Sequence, residues 1–226
     1  MIAFDHLVIF SNNPERHAHL FSKLNQQVAI PGGKHDLWGT FNYLAFMKND
    51  SYIEWLGIDD EKLASESDNP LIQHAYFAKQ QHFEGPIQFA LRVDDIEAYQ
   101  KQMEEHEIAF KGPFPGKRTK EDGTTLEWKM LFPEYDLKGT PFPFLIEWNG
   151  EGNKPSNKNE INNNSFDVLT ILTNEVEYYV KQLKNIYNLE CSHIGNFIYE
   201  TNVANGKLII KEGQGLKAQF GKIVFQ

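Results

Sequence analysis

Tyr52-Ile53-Glu54-Trp55-Leu56 and Leu145-Ile146-Glu147-Trp148-Asn149 carry the same core, Ile-Glu-Trp, and a glycine follows the tryptophan two residues on in each, Gly57 and Gly150. A unit that ends twice should also begin twice. Phe4-Asp5-His6-Leu7-Val8-Ile9-Phe10, closed by Ser11-Asn12-Asn13-Pro14, opens the first copy, and Ile87-Gln88-Phe89-Ala90-Leu91-Arg92-Val93 with Asp94-Asp95 opens the second. Aligning these strands sets Gln88 opposite His6. A third opening, Phe166-Asp167-Val168-Leu169-Thr170-Ile171-Leu172, has Val168 where His6 stands, so this copy lacks the polar side chain.

Between openings and endings the first copy reads as strand, helix and two or three strands. Residues 3–10 are a strand; Asn13 caps a helix with Pro14 in its first turn and Ala18, Phe21 and Leu24 at helical spacing. A turn-rich stretch, Ile30-Pro31-Gly32-Gly33, precedes strands over 41–47 and 51–56. A helix from Asn69-Pro70 leads to the second copy, with a strand over 87–93, a cap at Asp95, a helix carrying Ile96, Tyr99 and Met103, and strands near 108–110, 126–132 and 144–148. Its loops 113–125, with the charged tip Lys120-Glu121-Asp122-Gly123, and 133–143 are long and fit the border of a functional mouth. Six asparagines and one aliphatic residue within 150–165 cannot build a core and read as a linker. Beyond it come a strand over 166–173, a capping-box-like start at Asn174 with Glu177, and further strands. The expected fold class is α+β, built of repeated βαβββ modules. Residues 1–60 and 86–150 pair around a cleft with helix 69–83 between them, 151–165 link, and 166–226 form a third, degenerate module. The odd module leaves a face to cover, either on its own first domain or on a second copy of the chain as a homodimer.

Composition narrows the function. With 41% apolar and 13% aromatic residues the chain has material for a core without staples. A formal charge of −9 argues against nucleic acid or an anionic membrane surface as partner. The single cysteine, Cys191, rules out an internal disulfide framework, and no apolar run reaches the length of a membrane span; the cytoplasm is the expected compartment.

Strand alternation then selects candidate site residues. If Ile53 and Trp55 pack under the helix, Tyr52, Glu54 and Leu56 face the opposite side, and the same argument turns Leu145, Glu147 and Asn149 there. Glu54 and Glu147 would look into the cleft beside His6 and Gln88. Imidazole, two carboxylates and a weaker amide oxygen are a donor set for a divalent metal, Zn, Mn or Ni, with Glu54 and Glu147 as the catalytic pair. Asn42 and Arg92 would stand at the rim, Trp38 would wall the pocket, and His35 closes Pro31-Gly32-Gly33-Lys34-His35, a turn able to meet an anion. That stretch lacks the strand-to-helix context of a phosphate loop, and no nucleotide cofactor is expected. Taken singly, such a histidine or glutamate is more often structural or solvated; only the repeat raises the joint case.

In this order the residues resemble the vicinal oxygen chelate superfamily, and within it the glyoxalase-like domain proteins. The matching stretches are Asp5-His6-Leu7-Val8, Gly33-Lys34-His35 through Gly39-Thr40-Phe41-Asn42-Tyr43-Leu44, Tyr52-Ile53-Glu54, Ala90-Leu91-Arg92-Val93-Asp94-Asp95, Arg118 to Trp128, and Pro143-Phe144-Leu145-Ile146-Glu147-Trp148. The resemblance implies paired βαβββ modules around a small-molecule cleft. Its implied function is a metal-dependent lyase or isomerase of the glyoxalase type, with a metal-free binding or sequestering protein of the antibiotic-resistance type as the alternative.

Overall fold

The computed structural model describes the chain except residues 120–122, 124, 151 and 156, so most of the charged tip expected in loop 113–125 lies outside the described residues, and residues 113–119 of that expected loop are strand. In the first module, β1 (Ala3–Phe10) leads into α1 (Pro14–Asn25), and β2 (Ile30–His35), β3 (Thr40–Met47) and β4 (Tyr52–Ile58) follow. The caps are those expected: the Asn13 side chain accepts from the Arg16 amide, and Pro14 fills the first helical turn. The stretch around Gly32 and Gly33 is part of β2, a strand and not a turn.

Helices α2 (Glu61–Glu66) and α3 (Pro70–Gln80) connect to the second module, β5 (Gly85–Arg92), α4 (Ile96–Glu105), β6 (Phe110–Thr119), β7 (Thr125–Pro133) and β8 (Phe144–Trp148). The two modules share one sheet in the order β2-β3-β4-β1-β5-β8-β7-β6. Strand β1 runs parallel to β4 and antiparallel to β5, and β5 runs parallel to β8, so the halves mirror each other about the β1–β5 seam. Helix α3 lies against β1, β4 and β5, and the outer strands β2 and β6 approach one another, which closes the curled sheet into a cup.

In the linker, β9 (Ile161–Asn162) pairs with β3, and the Asn162 side chain bonds both the amide and the carbonyl of Val28. The third module is β10 (Phe166–Leu172), α5 (Val176–Tyr187), β11 (Ser192–Gly195), β12 (Ile198–Val203) and β13 (Gly206–Lys211), followed by β14 (Gly215–Phe220) and β15 (Ile223–Phe225). Its sheet order, β11-β12-β13-β10-β14-β15, repeats that of the first module, with β14 antiparallel to β10 as β5 is to β1. The start of α5 makes no capping box; Thr173 Oγ1 instead accepts from the Glu175 amide.

This module packs back to back on the first module of its own chain. Phe4 and Phe166 stack with ring centroids 3.8 Å apart inside one continuous buried cluster. Two hairpin asparagines lock the contact reciprocally. Asn205 bonds the amide and carbonyl of Phe4 at 2.9 and 2.8 Å, and Asn49 bonds the carbonyl and amide of Phe166 at 2.9 and 3.0 Å. Such exchange satisfies backbone groups that burial would otherwise leave without partners. Against the second module, Tyr179 and Tyr187 donate to the carbonyls of Pro141 and Pro143. No helix among the described residues is long and apolar enough to cross a membrane.

Candidate functional site

The site begins with a register slip. Phe4 pairs with Leu91 and His6 with Ala90, so Asp5 is an extra residue on β1. A bulge re-aims side chains that strict alternation would separate, and here Asp5 and His6 come to lie together, both buried. His6 Nδ1 donates to Asp5 Oδ1 at 2.7 Å, and its Nε2 faces Glu54 Oε2 at 3.4 Å. The other Asp5 oxygen accepts from Arg92 Nη1 at 3.2 Å and Trp148 Nε1 at 3.1 Å. Tyr52, the register partner of His6, stacks on the imidazole with centroids 4.4 Å apart.

Asn42 on β3 donates to Glu54 Oε1 at 2.5 Å. Its oxygen lies over Gly32, where any Cβ would collide with it, so the glycine makes room for the amide that orients the carboxylate. Next along β2, Gly33 lets the stem of Arg118 lie against the strand; a side chain there would press on Arg118 Cδ and would be strained by the backbone angle, φ 132°. His6, Asn42, Tyr52, Glu54 and Arg118 line a cavity of about 50 Å³. Its polar side also includes His35 and Asn153, while Trp38, Trp128, Met130, Phe144, Ile146 and Trp148 are prominent in its apolar wall. His35 also donates to or accepts from Thr40 Oγ1 at 3.0 Å.

Of the sequence-selected residues, His6, Glu54, Asn42, His35 and Trp38 meet at this cavity, and Arg92 stands behind it on Asp5. Glu147 does not join them. On β8 it is Phe144 and Ile146 that pack in the cleft cluster, and Glu147, one residue out of phase, points to the opposite face, where its Oε2 accepts from the Ile96 amide at 2.6 Å at the start of α4. A carboxylate there suits the positive end of the helix. Gln88 is buried, but its amide donates to Tyr135 Oη and the Phe142 carbonyl, each at 3.0 Å, and Tyr135 continues to His74 Nδ1.

The register explains the mismatch. Glu54 pairs with Val8; the counterpart of Val8 in the second module is Ala90, and Ala90 pairs with Phe144. Phe144 therefore occupies the place that Glu54 holds in the first half, and the repeated Ile-Glu-Trp triplets are three residues out of structural register. In the third module the same positions hold Val168 and Ile209, the latter pairing with Thr170. Arg118 was not selected from the sequence. Its signal was a basic residue in a strand-flanked loop of the matching stretch, and only closure of β6 onto β2 brings it in.

This donor set does not fit the divalent metal that the resemblance implies. Two ligands, His6 and Glu54, come from one module; the carboxylate expected from the other faces away, the Gln88 amide is engaged elsewhere, and a guanidinium shares the cavity. Among the described residues no three His, Cys, Asp or Glu side chains are grouped to hold an ion.

Electrostatics follow from burial. Burial alone would lower the His6 pKa, but hydrogen bonds and charge from Asp5 and then Glu54 outweigh it and hold the imidazole at about 9. Burial pushes the Glu54 carboxyl up, yet the His6 hydrogen bond and charge, aided by His35 and Asn42, bring it below its ordinary value. At neutral pH the pair is imidazolium and carboxylate. Burial lowers His35 and also pulls the Arg118 guanidinium down. Because the folded His6 pKa is raised, its contribution to stability is complete below about pH 6.5 and lost as pH rises through about 9. Stability toward urea should thus fall between pH 6.5 and 9, by on the order of 3 kcal/mol from this group. His6→Gln should flatten the profile over that window, whereas an unchanged slope in the variant would contradict the assignment.

With fold and site in place, comparison with known proteins defines the class. The Glyoxalase-like domain model matches residues 4–187, more than half of the chain. The chain belongs to the Glyoxalase-like domain family, within the vicinal oxygen chelate superfamily. Among solved structures, a hypothetical protein from Staphylococcus aureus superposes with TM-score 0.78 at 19% identity, over 97% of this chain and 89% of that one. Methylmalonyl-CoA epimerases are more distant: that of Streptomyces coelicolor has TM-score 0.49 at 13% identity over 68% of this chain and 98% of its own, and that of Mycobacterium tuberculosis 0.46 at 16% over 65% and 86%. Among curated proteins there is no match.

Proposed function

We propose that the cup binds a small organic molecule without a protein-held divalent metal. Asn42, His35, Glu54 and Arg118 meet its polar end, and Trp38, Trp128, Phe144 and Ile146 hold its apolar body. The observation that carries this reading is the asymmetry of the cavity. Most of its polar groups come from the first module, and where a metal-binding superfamily member would need a second carboxylate, the second module offers Phe144.

Two measurements test it together. Equilibrium dialysis against Zn, Mn and Ni should show no saturable stoichiometric binding that depends on the site, while a small-molecule library should contain compounds that raise Tm in a concentration-dependent way. One equivalent of a divalent ion bound by the wild type, and lost in both His6→Ala and Glu54→Ala, would overturn the metal-free reading.

The Asp5–His6–Glu54 line favours a second reading, a lyase or isomerase in which Glu54 takes a proton from a bound molecule and His6, oriented by Asp5, stabilises the carboxylate between turnovers. Turnover of a bound compound that Glu54→Gln abolishes, with binding retained, would select it over simple sequestration.

A further inference from the structure

Four of the five charged groups around the cavity are matched. Asp5 is met by Arg92 at 3.2 Å, and Glu54 by His6 at 3.4 Å. The fifth, Arg118, makes no ion pair among the described residues. Among the described residues its one side-chain hydrogen bond runs from Nη2 to the amide oxygen of Asn153 at 3.2 Å, and its Nε is buried with no acceptor there. Partial withdrawal of an unpaired guanidinium from water is unfavourable, so a half-buried arginine with a spare donor is poised for an acceptor that carries charge. The protein has set it up on purpose-shaped backbone: the stem lies on Gly33, where a side chain would displace it.

We infer that the ligand of this cavity is a small monoanion, a carboxylate or a group of equivalent shape, whose charged end pairs with Arg118 and whose flat apolar part lies among Trp38, Trp128, Trp148 and Phe144. One negative charge balances the excess guanidinium and leaves the Asp5–Arg92 and Glu54–His6 pairs intact. A dianion would place its second charge against Glu54, and a cation would meet Arg118. A neutral carbonyl can accept from the guanidinium but leaves its charge unbalanced, which makes the weaker contact. The cavity is narrow, about 50 Å³, which suits a small acid.

The inference rests on the small-molecule reading above, and the test separates the two. Acetate, butyrate and benzoate, each beside its amide, are titrated against the whole protein at pH 7, with tryptophan fluorescence as readout because Trp38, Trp128 and Trp148 line the cavity. At least one acid is expected to bind about tenfold or more tighter than its amide, as suits a charge-assisted pair. Arg118→Gln should bring acid and amide within about twofold, and Arg118→Lys, which keeps the charge, should retain a preference. Acids and amides that bind alike would overturn the anion inference and leave the cleft reading standing. So would an acid preference that survives Arg118→Gln, or one lost as fully in Arg118→Lys. No saturable binding by any of the six compounds would overturn both.

Discussion

Asp5→Ala is expected to destabilise the protein by about 3–5 kcal/mol, since it removes the one buried carboxylate that accepts from three side chains, the buried His6 among them. Asp5 is 1% exposed and accepts from His6, Arg92 and Trp148. Without it the imidazolium loses the stronger of its two carboxylate partners, and the Arg92 and Trp148 donors have no acceptor on that side. Asp5→Asn should cost less, because an amide oxygen still accepts while the charge is gone. Urea unfolding of both variants at pH 6 gives the comparison. A loss below about 1 kcal/mol for the alanine variant would mean that water reaches the network and serves in its place.

Phe166→Ala should cost a similar amount, about 3–5 kcal/mol, by opening a cavity where the first and third modules meet. The ring is 2% exposed, stacks on Phe4 and meets Phe220 edge to face with centroids 5.7 Å apart. Because one buried cluster runs through all three modules, unfolding of wild type and variant should be a single transition that shifts as a whole. A separate early transition confined to residues 166–226 would show instead that the third module is an independent domain.

The expectation of a third module left to find its own cover came from counting copies, and counting says nothing of which face of a half-sheet is apolar. Leu169, Ile171, Leu208, Ile210 and Ala218 point to the shared core, and α5 lies beside α4, with Gln102 donating to the Asn185 carbonyl. Asparagines prove to be specific ties: Asn162, which read as linker composition, bonds both backbone groups of Val28 just before β2, and the hairpin residues Asn49 and Asn205 bond the backbone of β10 and β1. A short amide side chain can satisfy an N–H and a C=O at once, and composition does not reveal when it does.

The sequence by itself determined the repeated modules, their order, and the caps at Asn13 and Asp95, and it put His6 and Glu54 forward as candidates for one site. These depend on periodicity, on breakers and on neighbouring strands within one module, all of which are local. What only the tertiary structure decided was which carboxylate enters the cup and what joins it. A strand turns every side chain over when its register moves by one residue, so identical triplets at 53–55 and 146–148 present opposite faces once β4 pairs with β1 and β8 pairs with β5. Register is set between strands far apart in the chain, and the closing of β6 on β2 that delivers Arg118 is set by the curl of the whole sheet; neither is written in any one segment.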